Sequence, residues 1–159
     1  FAVNVMAPYL LTALMHRPRR LVYLSSSMHL QAKPDVSDLS WTRRRWDAPA
    51  AYCESKLYDL TLAFAIARHW PDVVSNAVDP GWVPTRMGGM SAPDDLFQGQ
   101  CTQSWLATSD DPGARLSGQY FRQLRLSTPN RLAEDTRFQD EFLAKCASLS
   151  GVLLKPVVS

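Results

Sequence analysis

Little in this sequence is present in excess. Seven glycines are spread over 159 residues, and none of them forms a G-x-G-x-x-G run. The chain therefore carries no Gly-rich turn of the kind that brings backbone N–H groups up to a pyrophosphate. The three cysteines, Cys53, Cys101 and Cys146, are odd in number and far apart. They form neither a disulfide framework nor a metal cluster, so no metal site is expected and a reducing compartment, the cytoplasm, is. Basic and acidic residues nearly cancel, 17 against 15. That balance leaves no electrostatic footprint for nucleic acid or an anionic membrane. No apolar run approaches the ~18 residues of a membrane span, and no signal peptide is visible. The chain opens Phe1-Ala2-Val3-Asn4 without an initiator Met, as though inside a helix, and a fragment is expected.

What is present is ordinary globular composition, with 46% hydrophobic and 20% charged residues, over one domain's length, 1–159. Residues 1–15 are rich in Leu, Ala and Met and read as a buried helix stopped by Pro18. Arg20 to Leu24 is a short apolar run closed by Ser25-Ser26-Ser27, hence a buried strand. Residues 28–50 are mixed and polar and read as a long loop, or a loop with one short helix, of the length that is often functional. Ala51 to His69 has Leu57, Leu60, Phe64 and Ala67 at helical spacing. Val73 to Val78 is a second strand, ended by Asp79-Pro80-Gly81. A helix over 94–109, a weak strand over 118–121 and a helix over 133–149, with Gly151 just past its end, complete the chain. The order α-β-α-β-α-β-α predicts an α/β fold, a parallel sheet with helices on both faces. Three parallel strands alone would leave an apolar edge exposed, so further sheet is expected upstream.

The chemistry concentrates in four places. Tyr52 and Lys56 are four apart on a helix and share a face. An ammonium beside a phenol favours the phenolate, moving its pKa from ~10 towards neutrality, which suits a general acid or base for an alcohol/carbonyl pair. Chance supplies about 0.1 such pairs in a chain of this composition, so the pair alone decides little. Ser25-Ser26-Ser27 lies at the C-terminal end of a strand, where parallel α/β sheets place their ligands. A serine cluster there is also an ordinary turn. Asp79-Pro80-Gly81-Trp82-Val83-Pro84-Thr85 makes a tight turn after the next strand and brings backbone and the Thr85 hydroxyl to the same edge. Asn4 is a polar amide inside an apolar helix and needs a hydrogen-bond partner.

Taken together and in this order, the four segments resemble the short-chain dehydrogenase/reductase family. The match runs from Val3-Asn4-Val5 through Arg20 to Ser26 and Ala51-Tyr52-Cys53-Glu54-Ser55-Lys56-Leu57 to Asp79 through Thr85, over roughly residues 1–125. Within the family it is most similar to the retinol-dehydrogenase-like and WW-domain oxidoreductase-like branch. The resemblance implies a doubly wound Rossmann-like sheet and an oxidoreductase that interconverts an alcohol and a ketone or aldehyde with NADP or NAD, NADP being favoured by the branch. It implies that Tyr52 is the acid/base, that Lys56 supports Tyr52 and holds the nicotinamide ribose, and that Ser26, rather than Ser25 or Ser27, polarises the carbonyl. Asn4 would support a proton-relay water. Pro80, Gly81, Val83 and Thr85 would line the nicotinamide site. The substrate would be a small apolar carbonyl or alcohol, and family members often pair as homodimers through the helices that start near Phe1 and Ala51. The family's Gly-rich turn is missing, so the chain reads as the C-terminal catalytic half of the dehydrogenase domain, inactive alone. The alternative, since fold does not imply activity, is a non-catalytic dinucleotide-binding or interaction protein; an epimerase or dehydratase using the same Tyr and Lys is a third.

Other features have plainer readings. Arg43-Arg44-Arg45, between Trp41 and Trp46, reads as a solvated basic patch rather than a site for an anionic substrate or partner. Met87 to Met90 form a pliable loop that suits an apolar ligand. His29 either approaches the substrate or lies in a surface loop.

Overall fold

Alternation along the strands decides which side of the sheet each helix covers. In the computed structural model, which describes residues 1–155, β1 (Arg20–Leu24), β2 (Val74–Asp79) and β3 (Tyr120–Arg122) pair in parallel, in that order. Successive side chains of a strand point to opposite faces. Tyr23, Ala77 and Tyr120 accordingly join the larger core with the long helix α2 (Ala48–His69). Their neighbours Val22, Val78 and Phe121 pack with Trp105 and Leu106 of α3 (Leu96–Thr108) on the other side. The mixed α/β architecture with helices on both faces is the one the element order predicts.

The chain enters through a wide helical turn, Ala2–Met6, wound as a π-helix, which continues as α1 (Ala7–Leu14). Pro8 has no N–H to give to the Asn4 carbonyl, which an α turn would require, and the chain winds wider there. Between β1 and α2 lie two 3₁₀ segments, Ser27–Gln31 and Val36–Asp38. The C-terminal region folds as α4 (Arg131–Glu134) and α5 (Thr136–Ser150).

Three expectations need correction. The helix expected over 133–149 is broken at Asp135, whose carboxylate accepts hydrogen bonds from the N–H groups of Arg137 and Phe138 and so starts a new helix. A fourth strand, β4 (Arg125–Leu126), returns antiparallel to β3. And α2 is not striped: apart from Lys56, every residue from Cys53 to Ile66 is buried. The sheet, α4, α5 and the N-terminal helical turn all pack on it. Gly151 ends α5 in the left-handed conformation (φ 71°), as its position predicts. Among the described residues no helix is long and apolar enough to cross a membrane.

Candidate active site

All three parallel strands end on the same edge of the sheet, and their C-terminal ends open a cleft of about 800 Å³. Asn4, Ser26, Tyr52, Pro80, Gly81, Val83 and Thr85 line it. Residues separated by up to 81 positions in the chain therefore meet at one place, which is where an open parallel sheet binds ligands.

Each is held by its own local device. Asn4 donates from Nδ2 to the Ser55 hydroxyl at 3.1 Å, and Ser55 in turn donates to the Tyr52 carbonyl at 2.8 Å, so the N-terminal turn is fastened to the first turns of α2. The three serines separate by role. Ser25 is buried and donates to the Lys56 carbonyl at 2.7 Å. Ser26 faces the cleft and caps the 3₁₀ segment, accepting from the Met28 N–H at 3.3 Å, which leaves its own hydroxyl proton for a ligand oxygen. Ser27 also lines the cleft.

Lys56 is not part of the lining. Its ammonium lies 5.8 Å from the centre of the Tyr52 ring. It donates to the Leu24 carbonyl at 2.8 Å and to the Asp59 carboxylate at 2.9 Å.

The turn after β2 requires glycine. Gly81 has φ 85°, and a Cβ there would come within 2.5 Å of Asp94 Oδ2. That oxygen already accepts from the Trp82 N–H at 2.7 Å. On the far side, Gly99 lets α3 press against the turn, since a Cβ would meet Val83 Cγ1 at 2.7 Å. The Thr85 hydroxyl accepts from the Gly88 N–H at 3.1 Å, and Trp82 Nε1 donates to the Gly88 carbonyl at 2.7 Å. The methionine loop is thus tied back onto the turn, although Met87 and Met90 are almost fully exposed.

Two readings of single residues change. His29 is neither in the cleft nor on the surface: it is fully buried, with its ring edge-on to Tyr120 at 4.8 Å. Neither of its nitrogens has a hydrogen-bond partner among the described residues, and burial lowers its pKa. Arg44 is not a solvated charge. It grips Glu54 through two bonds, of 2.8 and 3.0 Å, reaches Asp38 at 3.4 Å, and stacks on Trp41 at 4.0 Å. Arg43 bonds Ser37. Arg44 braces the N-terminal half of α2, the part that bears Tyr52, while Arg43 and Arg45 are exposed.

Sequence reasoning gave no part to three further residues. Asp79 and Arg122 line the cleft, with Arg122 Nε 3.8 Å from Asp79 Oδ2. Asp59 sits behind Lys56. Asp79 stood in plain view at a strand end, and Asp59 three residues after a lysine; only their burial was hidden.

No protein-family model matches the chain. It is 35% identical to the short-chain dehydrogenase chyC of Penicillium rubens over 96% of this chain and 60% of that protein. With the short-chain dehydrogenase chry4 of Gibberella zeae the identity is 34% at the same coverage. The chain belongs to the short-chain dehydrogenase/reductase family. Human retinol dehydrogenase 13, 28% identical over 96% of this chain and 54% of its own length, extends the likeness to the branch the sequence resembles. The chain spans little more than half the length of these curated relatives. A crystal structure of an uncharacterised protein from Mycobacterium paratuberculosis superposes with a TM-score of 0.75 at 20% identity, over 96% of this chain and 58% of that one, and shares the fold.

Proposed function

We propose that the full-length protein is an NAD(P)-dependent oxidoreductase that interconverts an alcohol and a ketone or aldehyde. The observation that supports this reading is the convergence of Tyr52, Ser26 and Asn4 with the Gly81–Thr85 turn on one cleft, with the Lys56 ammonium 5.8 Å from the Tyr52 ring centre.

The donor set fits the nicotinamide end of such a cofactor. The cleft has volume for it, and the Pro80-Gly81 backbone and the Thr85 hydroxyl both stand in its lining. Lys56 offers an ammonium to ribose hydroxyls. The cofactor, when bound, supplies or accepts hydride. The chain's own residues do the rest. The Ser26 hydroxyl donates to the substrate oxygen and polarises it. Tyr52 gives a proton to that oxygen on reduction and takes it on oxidation. Lys56 presents its ammonium 5.8 Å from the Tyr52 ring centre, and Asn4, fixed by Ser55, supports the water that returns the proton to solvent. Met28, Trp82, Val83 and Met87 give the cleft an apolar wall, which supports a small apolar substrate.

NADP is our preferred cofactor, the cytoplasm our preferred compartment, and pairing of two copies through the helices near Phe1 and Ala51 the assembly. Residues 1–159 are, in this reading, the catalytic half of a single dehydrogenase domain, which needs a Gly-rich turn from outside them to hold the pyrophosphate and is inactive without it.

Replacing Tyr52 by Phe in the full-length protein tests the reaction. Turnover of a carbonyl panel should vanish while cofactor affinity, read by quenching of Trp fluorescence, stays near that of the parent. Retained activity overturns the assignment of Tyr52.

A further inference from the structure

Lys56 makes two hydrogen bonds that the proposed reaction does not use. An ammonium has three N–H donors. One goes to the Leu24 carbonyl at the end of β1, at 2.8 Å. A second goes to Asp59, one helical turn on, at 2.9 Å. The Asp59 carboxylate is only 4% exposed and lies in the interior, not at the rim of the cleft. A surface pair of this spacing would be worth little. A buried carboxylate is costly to keep, and its one strong attraction is to the ammonium beside it.

We propose that Asp59 is the positioning residue of the Lys56 ammonium: together with the Leu24 carbonyl it fixes two of the three N–H bonds and so holds the third towards Tyr52 and the cofactor ribose, and its charge tempers the field that Lys56 exerts there. The inference rests on the reading of Tyr52 and Lys56 given above. Asp59 never touches substrate; it acts through Lys56.

The same geometry makes the device sensitive to pH. Burial pushes the Asp59 carboxyl up to about 7, against the pull of the Lys56 ammonium. The ionisable group that acts on it is Lys56, from its own helix; Tyr23, from β1, whose phenol shares a 2.7 Å hydrogen bond with Thr12 of α1, is near enough for the Asp59 charge to add to the rise that burial gives its own pKa. Below neutrality Asp59 is uncharged and Lys56 acts on Tyr52 alone. Above it, the carboxylate offsets part of that charge.

The test uses Asp59→Asn and Asp59→Leu in the full-length protein, with turnover followed between about pH 5 and 9. Asn keeps an acceptor for Lys56 and cannot ionise. It should hold kcat at low pH within about threefold of the parent and abolish the inflection of kcat near neutrality. Leu removes the acceptor and should lower kcat at least about tenfold at every pH, with KM for the carbonyl substrate little changed. A pH profile of Asp59→Asn that superimposes on the parent's overturns the inference, as does an Asp59→Leu enzyme within twofold of the parent. If the Leu variant does not fold, the Asn variant carries the test. A second readout needs no turnover. The 13Cε resonance of Lys56, assigned by its loss in Lys56→Met, should shift near neutral pH in the parent and not in Asp59→Asn. A parent with no oxidoreductase activity overturns the functional reading, while a Lys56 resonance indifferent to Asp59 overturns this inference, so the two failures are told apart.

Discussion

Asp79 holds Ser27: the N–H of Ser27, just past the end of β1, donates to Asp79 Oδ2 at 3.0 Å from the neighbouring strand. The other oxygen of the same carboxylate accepts from the Gly81 N–H at 2.8 Å. One buried side chain thus sets the distance between the serine segment and the Pro-Gly turn, the two walls of the cleft. Asp79→Ala removes both acceptors and strands two N–H groups near the sheet edge. Chemical denaturation should show a loss of about 2–4 kcal/mol. Asp79→Asn, which keeps one acceptor, should lose about half as much. An Ala variant as stable as the parent would mean that water replaces the carboxylate and that the walls are set elsewhere.

The serine cluster separates into a structural and a functional residue. Ser25 spends its hydroxyl on the Lys56 carbonyl, whereas Ser26 points into the cleft. Ser25→Ala should lower stability by about 1–2 kcal/mol with kcat within about threefold of the parent. Ser26→Ala should do the reverse, with stability within about 0.5 kcal/mol and kcat down about a hundredfold. Swapped phenotypes would move the carbonyl-polarising role from Ser26 to Ser25.

Why the sequence disclosed some of this and hid the rest has a physical basis in each case. β1 and β2 are apolar runs closed by Ser25-Ser26-Ser27 and by Asp79-Pro80-Gly81, and such punctuation is local, so both were legible. The β3–β4 hairpin was not. Its two turn residues, Gln123 and Leu124, have φ of 49° and 61°, a conformation usually marked by Asn-Gly. Nothing in Gln-Leu signals it; a tertiary bond from the Leu124 N–H to the Thr102 hydroxyl at 3.0 Å helps to hold it. The same distinction governs the site. Tyr52, Lys56, Ser26 and the Pro-Gly turn are recognisable by spacing and order. Asp59, Asp79 and His29 look like surface residues until the fold buries them, because burial of a polar side chain is decided by what packs over it and not by its neighbours in sequence.

Acid should loosen the brace of α2 at a definite point. Burial alone would raise the pKa of Asp38. The N–H groups of Thr42 and Arg43, the Thr42 hydroxyl and the Arg44 guanidinium more than offset this and hold its carboxyl down to about 2. A carboxylate whose pKa is depressed by folding binds fewer protons folded than unfolded. Its contribution to stability is therefore complete above the ordinary value near 3.8 and lost as pH falls from there towards about 2. Asp38→Asn should lower Tm by several degrees at pH 6, and the difference from the parent should shrink as the solution is acidified through that window. The loop it organises carries Arg44, which grips Glu54 two residues after Tyr52, so activity in the same variant should fall together with stability. A Tm difference that stays constant from neutral pH down to pH 2 would show that Asp38 acts through shape alone and not through its charge.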